Sequence, residues 1–138
     1  MSVTLVDTGP LVAYLSGDDR EHDWALAAFD SLPPPVLTCE AVITETCSLM
    51  LRHFKSCDLV LQMLDRGGIE IGFSLAIERL RIRHLMRPHA DTPMSLADVC
   101  LVRMSELLPD SRVLTMDSDF SVYLRHGRQA IPLLTPFA

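Results

Sequence analysis

Short apolar runs alternate along this chain with longer stretches in which apolar residues return every three or four positions. The two periods divide it into strands and helices. The runs "VTLV" at 3–6, "VLTC" at 36–39, "RVLT" at 112–115 and "AIPLL" at 130–134 read as strands. A weaker strand falls at 69–72, behind the "RGG" break at 66–68. Helical spacing covers 10–16, 21–31, 41–54, 57–65, 74–86 and 95–108. Ser95 caps the last of these, and it stops before Pro109. "LPPPV" at 32–36 is a stiff connector rather than a domain linker, because apolar patterning resumes on both sides of it.

Strands that alternate with helices imply an α/β fold, here a three-layer α/β/α sandwich around a central parallel sheet. In such sheets ligands gather beyond the carboxyl ends of the strands. Two acids stand at such ends. Asp7 follows the first apolar run directly, and Asp117 lies two residues after "RVLT".

Length and composition narrow the picture. With 138 residues, 49% hydrophobic and 22% charged, the chain is expected to form one globular domain, residues 1–138, with a core that needs no covalent staples. No apolar run is long enough to span a membrane, and Asp7 interrupts the early one, so no export signal is read and a cytoplasmic location is expected. Cys39, Cys47, Cys57 and Cys100 form no C-x-x-C pair, which favours reduced thiols over a zinc cage. A net charge of −6 argues against nucleic-acid binding by overall attraction and leaves it to local patches.

The acids carry the chemistry. "VDTGPL" presents Asp7, "AVITETCSLM" Glu45, "MSLADVCLV" Asp98 and "VLTMDSDF" both Asp117 and Asp119. Each has an ordinary explanation when taken singly: Asp7 as an N-cap, Glu45 as an exposed helix residue, Asp98 as a dipole-favoured first-turn acid, Asp117 and Asp119 as turn residues. Together they place two carboxylates at strand ends and two on helices beside apolar faces. Several carboxylates meeting without a cation would be driven to protonate. A hard divalent ion resolves the conflict, and carboxylate donors without paired histidines favour Mg²⁺ or Mn²⁺ over zinc. Such a site can activate water and neutralise charge on a phosphate.

These four segments, in this order, resemble the PIN-domain family, and VapC-type toxin ribonucleases of toxin–antitoxin systems in particular. The resemblance spans essentially the whole chain. It implies a PIN-like sandwich and a Mg²⁺- or Mn²⁺-dependent endoribonuclease that cleaves RNA by in-line attack of metal-activated water. It carries the catalytic and metal-binding roles to Asp7, Glu45, Asp98 and Asp117, adds Asp119 as a further metal acid, and gives Thr115 the role of supporting the first Asp by a hydrogen bond. It also implies a cognate antitoxin as partner and a homodimer.

For the RNA itself, Arg125, His126 and Arg128 follow the Asp117 motif closely, and Arg125 and Arg128 are the expected substrate contacts. A second basic stripe, Arg79, Arg83 and Arg87, shares one helical face. Trp24, Phe29 and Phe120 are expected in the core, and the histidines have no partner at useful spacing. Two other readings compete. Aspartyl-phosphate phosphatases need a second Asp two positions after the first, and Gly9 stands there. A PIN-like module that binds RNA or protein without cutting would keep the same acids.

Overall fold

The computed structural model describes residues 2–54, 56–89 and 94–137. Its spine is β1 (Val3–Val6), a strand buried along nearly its whole length, as expected where a parallel sheet is covered on both faces. On one side β1 pairs with β2 (Val36–Thr38), which in turn pairs with β3 (Glu70–Ile71). On the other side it pairs with β4 (Ser111–Leu114), which carries β7 (Leu133–Leu134) at the edge. All four pairings are parallel, and the order is β3-β2-β1-β4-β7.

Helices make the crossovers. α1 (Thr8–Leu15) and α2 (His22–Ser31) join β1 to β2, and α3 (Glu40–Phe54) and α4 (Asp58–Asp65) join β2 to β3. α5 (Leu75–Met86), a short 3-10 turn at Arg87–His89, and α6 (Leu96–Leu107) lead from β3 to β4. The sheet is thus flanked by six helices among the described residues, the expected α/β/α sandwich. Because β2 and β3 build outward on one side and β4 returns to the other, the strand order reverses between β1 and β4. That reversal opens a crevice at the carboxyl ends of these two strands.

α6 is the most deeply buried helix, with Val99, Cys100, Leu101, Val102 and Met104 all in the core. Two acids interrupt its apolar surface, Asp98 and Glu106, and both are buried. Phe120 is fully buried as expected, whereas Trp24 and Phe29 are half-buried and pack against the core. Cys39 and Cys100 are buried, and Cys47 and Cys57 half-buried, all as free thiols.

Element ends fall within about two residues of the pattern-based reading, with one substantive difference. The strand expected at 130–134 is two strands. β6 (Gln129–Ala130) forms an antiparallel hairpin with β5 (Leu124–Arg125), and only β7 joins the main sheet. The turn at His126 and Gly127, both at positive φ (51° and 71°), folds the chain back. Pro132 then separates the two pieces; it has no N–H for a ladder, although its carbonyl accepts from Val113 N–H at 2.9 Å.

Candidate active site

The end of β1 delivers Asp7 into the crevice. Its backbone is extended while α1 begins at the next residue, so the side chain caps the helix and Oδ1 accepts from Thr8 N–H at 2.7 Å. The expected capping is therefore real, yet it uses one oxygen only. Oδ2 accepts from the hydroxyl of Thr115, at the end of β4, at 2.8 Å. The same hydroxyl oxygen accepts from Asp117 N–H at 3.0 Å, so one buried threonine sets the positions of both strand-end acids. Gly9 lets the two loops close up: a Cβ there would meet Met116 Cβ at 3.3 Å.

Asp98 enters from the first turn of α6. Ser95 caps that helix by accepting from Asp98 N–H at 3.0 Å. Asp98 Oδ2 accepts from the hydroxyl of Tyr123 at 3.0 Å. One carboxylate oxygen from each of Asp7, Asp98 and Asp117 lies within 4.8 Å of the others. Glu45 stands on the wall of the same cleft, of about 400 Å³, held by the hydroxyl of Thr8, which donates to Oε2 at 3.0 Å.

Electrostatics follow from this crowding. Burial pushes Asp7, only 5% exposed, from an ordinary pKa of 3.8 up to about 6. The charges of Asp98 and Asp117 add to that, and the hydrogen bonds from Thr115 and Thr8 oppose it. Asp98 is also shifted upward, by burial first and then by Asp117 and Glu45, against the bonds from Tyr123 and Ser95. Among the described residues neither acid has a cationic side chain as a hydrogen-bond partner. Burial, with Asp98 beside it, drives the Tyr123 phenol upward too, so it remains a donor to that carboxylate.

A second buried acid on α6 shows the contrast. Glu106 takes two bonds from Arg81 (3.2 and 3.3 Å), one from Arg103 (3.1 Å) and one from His126 N–H (2.7 Å). Burial alone would raise its pKa; these partners hold it below the usual carboxylate range. The same fold therefore neutralises one buried carboxylate with arginines and leaves buried Asp7 and Asp98 facing each other and half-buried Asp117.

Oxygen donors in this arrangement suit a hard divalent cation. Two oxygens on opposite sides of one Mg²⁺ are about 4 Å apart, so the spacing of the three aspartates needs only small adjustment. Each keeps lone pairs beyond its present hydrogen bonds. Asp119 stands apart from the three: it is exposed and does not line the cleft, and its N–H donates to Asp117 Oδ1 at 2.9 Å.

A sequence model of the PIN domain matches residues 4–123, a span that holds every one of these acids. The chain belongs to the PIN-domain family. No curated protein sequence matches it significantly. Among solved structures, this PIN domain is similar to the VapC20 toxin of Mycobacterium tuberculosis, described as cleaving the sarcin-ricin loop. The TM-score is 0.73 at 21% identity, over 86% of this chain and 92% of that one. At that identity the likeness establishes the fold.

The basic residues are placed differently from expectation. Arg125 is 7% exposed, and its guanidinium donates to Pro109 O, Ser111 O and Ser111 Oγ. It ties the hairpin to the turn between α6 and β4, so the expected substrate contact is corrected to a structural one. Arg128 is exposed on the hairpin. Arg79, Arg83 and Arg87 are exposed along α5 and its extension, as a stripe should be. Tyr123 and Thr8 are the site residues that sequence reasoning missed. Thr8 had a signal, since it sits inside "VDTGPL"; Tyr123 had only its nearness to the Asp117 motif.

Proposed function

We propose that this PIN domain is a Mg²⁺- or Mn²⁺-dependent endoribonuclease, acting as the toxin of a toxin–antitoxin pair. The observation that carries the reading is the convergence of Asp7, Asp98 and Asp117 at the strand-order reversal, with no basic side chain bonded to Asp7 or Asp98 among the described residues. Family membership and the RNA-cleaving activity described for the similar toxin support it. The whole chain is taken as one such domain, working in the cytoplasm as a homodimer that a cognate antitoxin restrains.

Asp7, Asp98 and Asp117 would hold the cation, with Glu45 as the fourth acid of the site and Asp119 as an accessory acid at its rim. The cation supplies Lewis acidity, offsetting charge that develops on a phosphodiester and acidifying water. The protein's own residues do the rest. Thr115 fixes the separation of Asp7 and Asp117. Tyr123 holds one oxygen of Asp98 and turns the other toward the cleft. Glu45, anchored by Thr8, presents an acceptor for a proton from an attacking water. In-line attack would leave 5′-phosphate and 3′-hydroxyl ends.

The test is cleavage of total RNA with mapped ends, with and without Mg²⁺ or Mn²⁺, beside the Asp7→Asn variant. Metal-dependent cutting that the variant lacks is expected. Equal cutting by the two proteins would sink the assignment, and Mn²⁺-independent RNA binding without cutting would favour a silent binding module.

A further inference from the structure

A second cleft of about 410 Å³ lies between α5, the 3-10 turn after it and the β5–β6 hairpin. Arg81, His84, His89 and His126 line it, over apolar walls that include Leu85 and Leu124. None of the described lining residues is acidic, in a chain of net charge −6, and three of the five histidines converge there. Arg81 and the imidazole N–H groups give the cleft several donors that suit an anion, with one carboxylate behind them, Glu106, which Arg81 and Arg103 pair and which lies 4.0 Å from His126 Nδ1.

The cleft is also built. Buried Glu106 holds Nε and Nη2 of Arg81 and so fixes its guanidinium. The same carboxylate accepts His126 N–H at the hairpin turn, where His126 and Gly127 both take positive φ, and so anchors the turn to α6. Buried Tyr123 stands between this cleft and the acid site: the His89 ring packs edge-to-face with it at 5.5 Å, and the Tyr123 hydroxyl bonds Asp98.

We propose that this Arg81–His84–His126 cleft is a subsite for the RNA strand, gripping a phosphodiester that flanks the one cut at Asp7, Asp98 and Asp117. The proposal rests on the ribonuclease reading above. It assigns the strand path to the hairpin face, on the far side of Tyr123 from the acids, and it gives the scattered histidines a shared role. Arginine and imidazole N–H donors suit phosphate oxygens, and His89 offers a ring face to a neighbouring base.

His84 is exposed on α5 and has no part in the acid site, so His84→Glu and His84→Lys should both fold. Binding is measured by fluorescence anisotropy with a short fluorescein-labelled single-stranded RNA of mixed sequence, in EDTA, and cleavage by steady-state kinetics with Mg²⁺. His84→Glu should weaken binding and raise KM by about tenfold with kcat within about twofold, and His84→Lys should bind at least as tightly as the wild type. Equal affinity and KM for all three proteins would overturn the subsite while leaving the ribonuclease standing. Charge-dependent RNA binding by a wild type that cuts nothing would do the reverse. Capture of a protein segment in place of RNA, with unchanged anisotropy, also overturns it.

Discussion

Replacing Asp7 by asparagine should make the metal-free protein more stable at neutral pH. The Asp7 carboxyl has a pKa of about 6 in the folded chain against an ordinary 3.8, because burial and its acidic neighbours penalise the charge. A raised folded-state pKa means that the native state holds this proton more tightly than the unfolded state does. Its contribution to stability is whole below about pH 3.8 and is lost as the pH rises to about 6. A difference of roughly two units, at about 1.4 kcal/mol each, leaves the ionised site costing about 3 kcal/mol at neutral pH. Asparagine avoids that cost but disturbs the hydrogen bonds. Its amide oxygen still accepts from Thr8 N–H, whereas its NH₂ meets the Thr115 hydroxyl donor to donor, for a loss of about 1 kcal/mol. The net gain is about 2 kcal/mol at neutral pH, turning into a loss of about 1 kcal/mol in acid, with the curves crossing between about pH 4 and 5. Urea unfolding of both proteins in EDTA across that range measures it. Added Mg²⁺ should then stabilise the wild type alone. A difference that stays flat with pH, or a variant less stable throughout, would refute the claim that Asp7 is destabilised by its surroundings.

Thr115→Val removes the hydroxyl that donates to Asp7 and accepts from Asp117 N–H, so the Asp7 pKa should climb by about one to two further units. The acid limb of the cleavage pH profile should move up with it; an unmoved limb would show that Asp7 does not set it. Tyr123→Phe removes the phenol that donates to Asp98 Oδ2, and cleavage should fall about tenfold with the far-ultraviolet circular dichroism spectrum unchanged. Glu106→Gln should have the opposite sign to Asp7→Asn, because this acid is compensated: unfolding experiments should show a loss of about 3 kcal/mol or more as Arg81 and Arg103 lose their buried counter-charge.

Much of the sandwich was legible because its signals are local. A fully buried run such as β1, a capping serine such as Ser95 and a breaker such as "RGG" each act within a few residues. The stretch at 130–134 failed for the same reason. "AIPLL" has one apolar pattern, but the hairpin turn at His126 and Gly127 captures its first residue and the edge of the main sheet captures its last two. Which partner wins is decided by strands far away in sequence.

The acids and the arginines divide along the same line. Asp7 and Asp117 could be placed because a strand end fixes where the next residue points. Arg125 could not, because its hydrogen-bond acceptors, Pro109 and Ser111, lie on the turn before β4 and at that strand's first residue, whose approach to the hairpin no periodicity encodes. Asp98 and Glu106 make the point on a single helix. Both interrupt the same apolar surface about two turns apart, and both are buried. Arg81 reaches Glu106 from α5 and Arg103 reaches it along α6, so that acid is answered from within the protein. Asp98 is answered by a phenol and confronted by two more carboxylates. A fold able to supply arginines to one position of α6 supplies none to the other, and a buried charge left unanswered costs stability unless something outside the chain answers it. The uncompensated position is therefore the one at which to look for the cation.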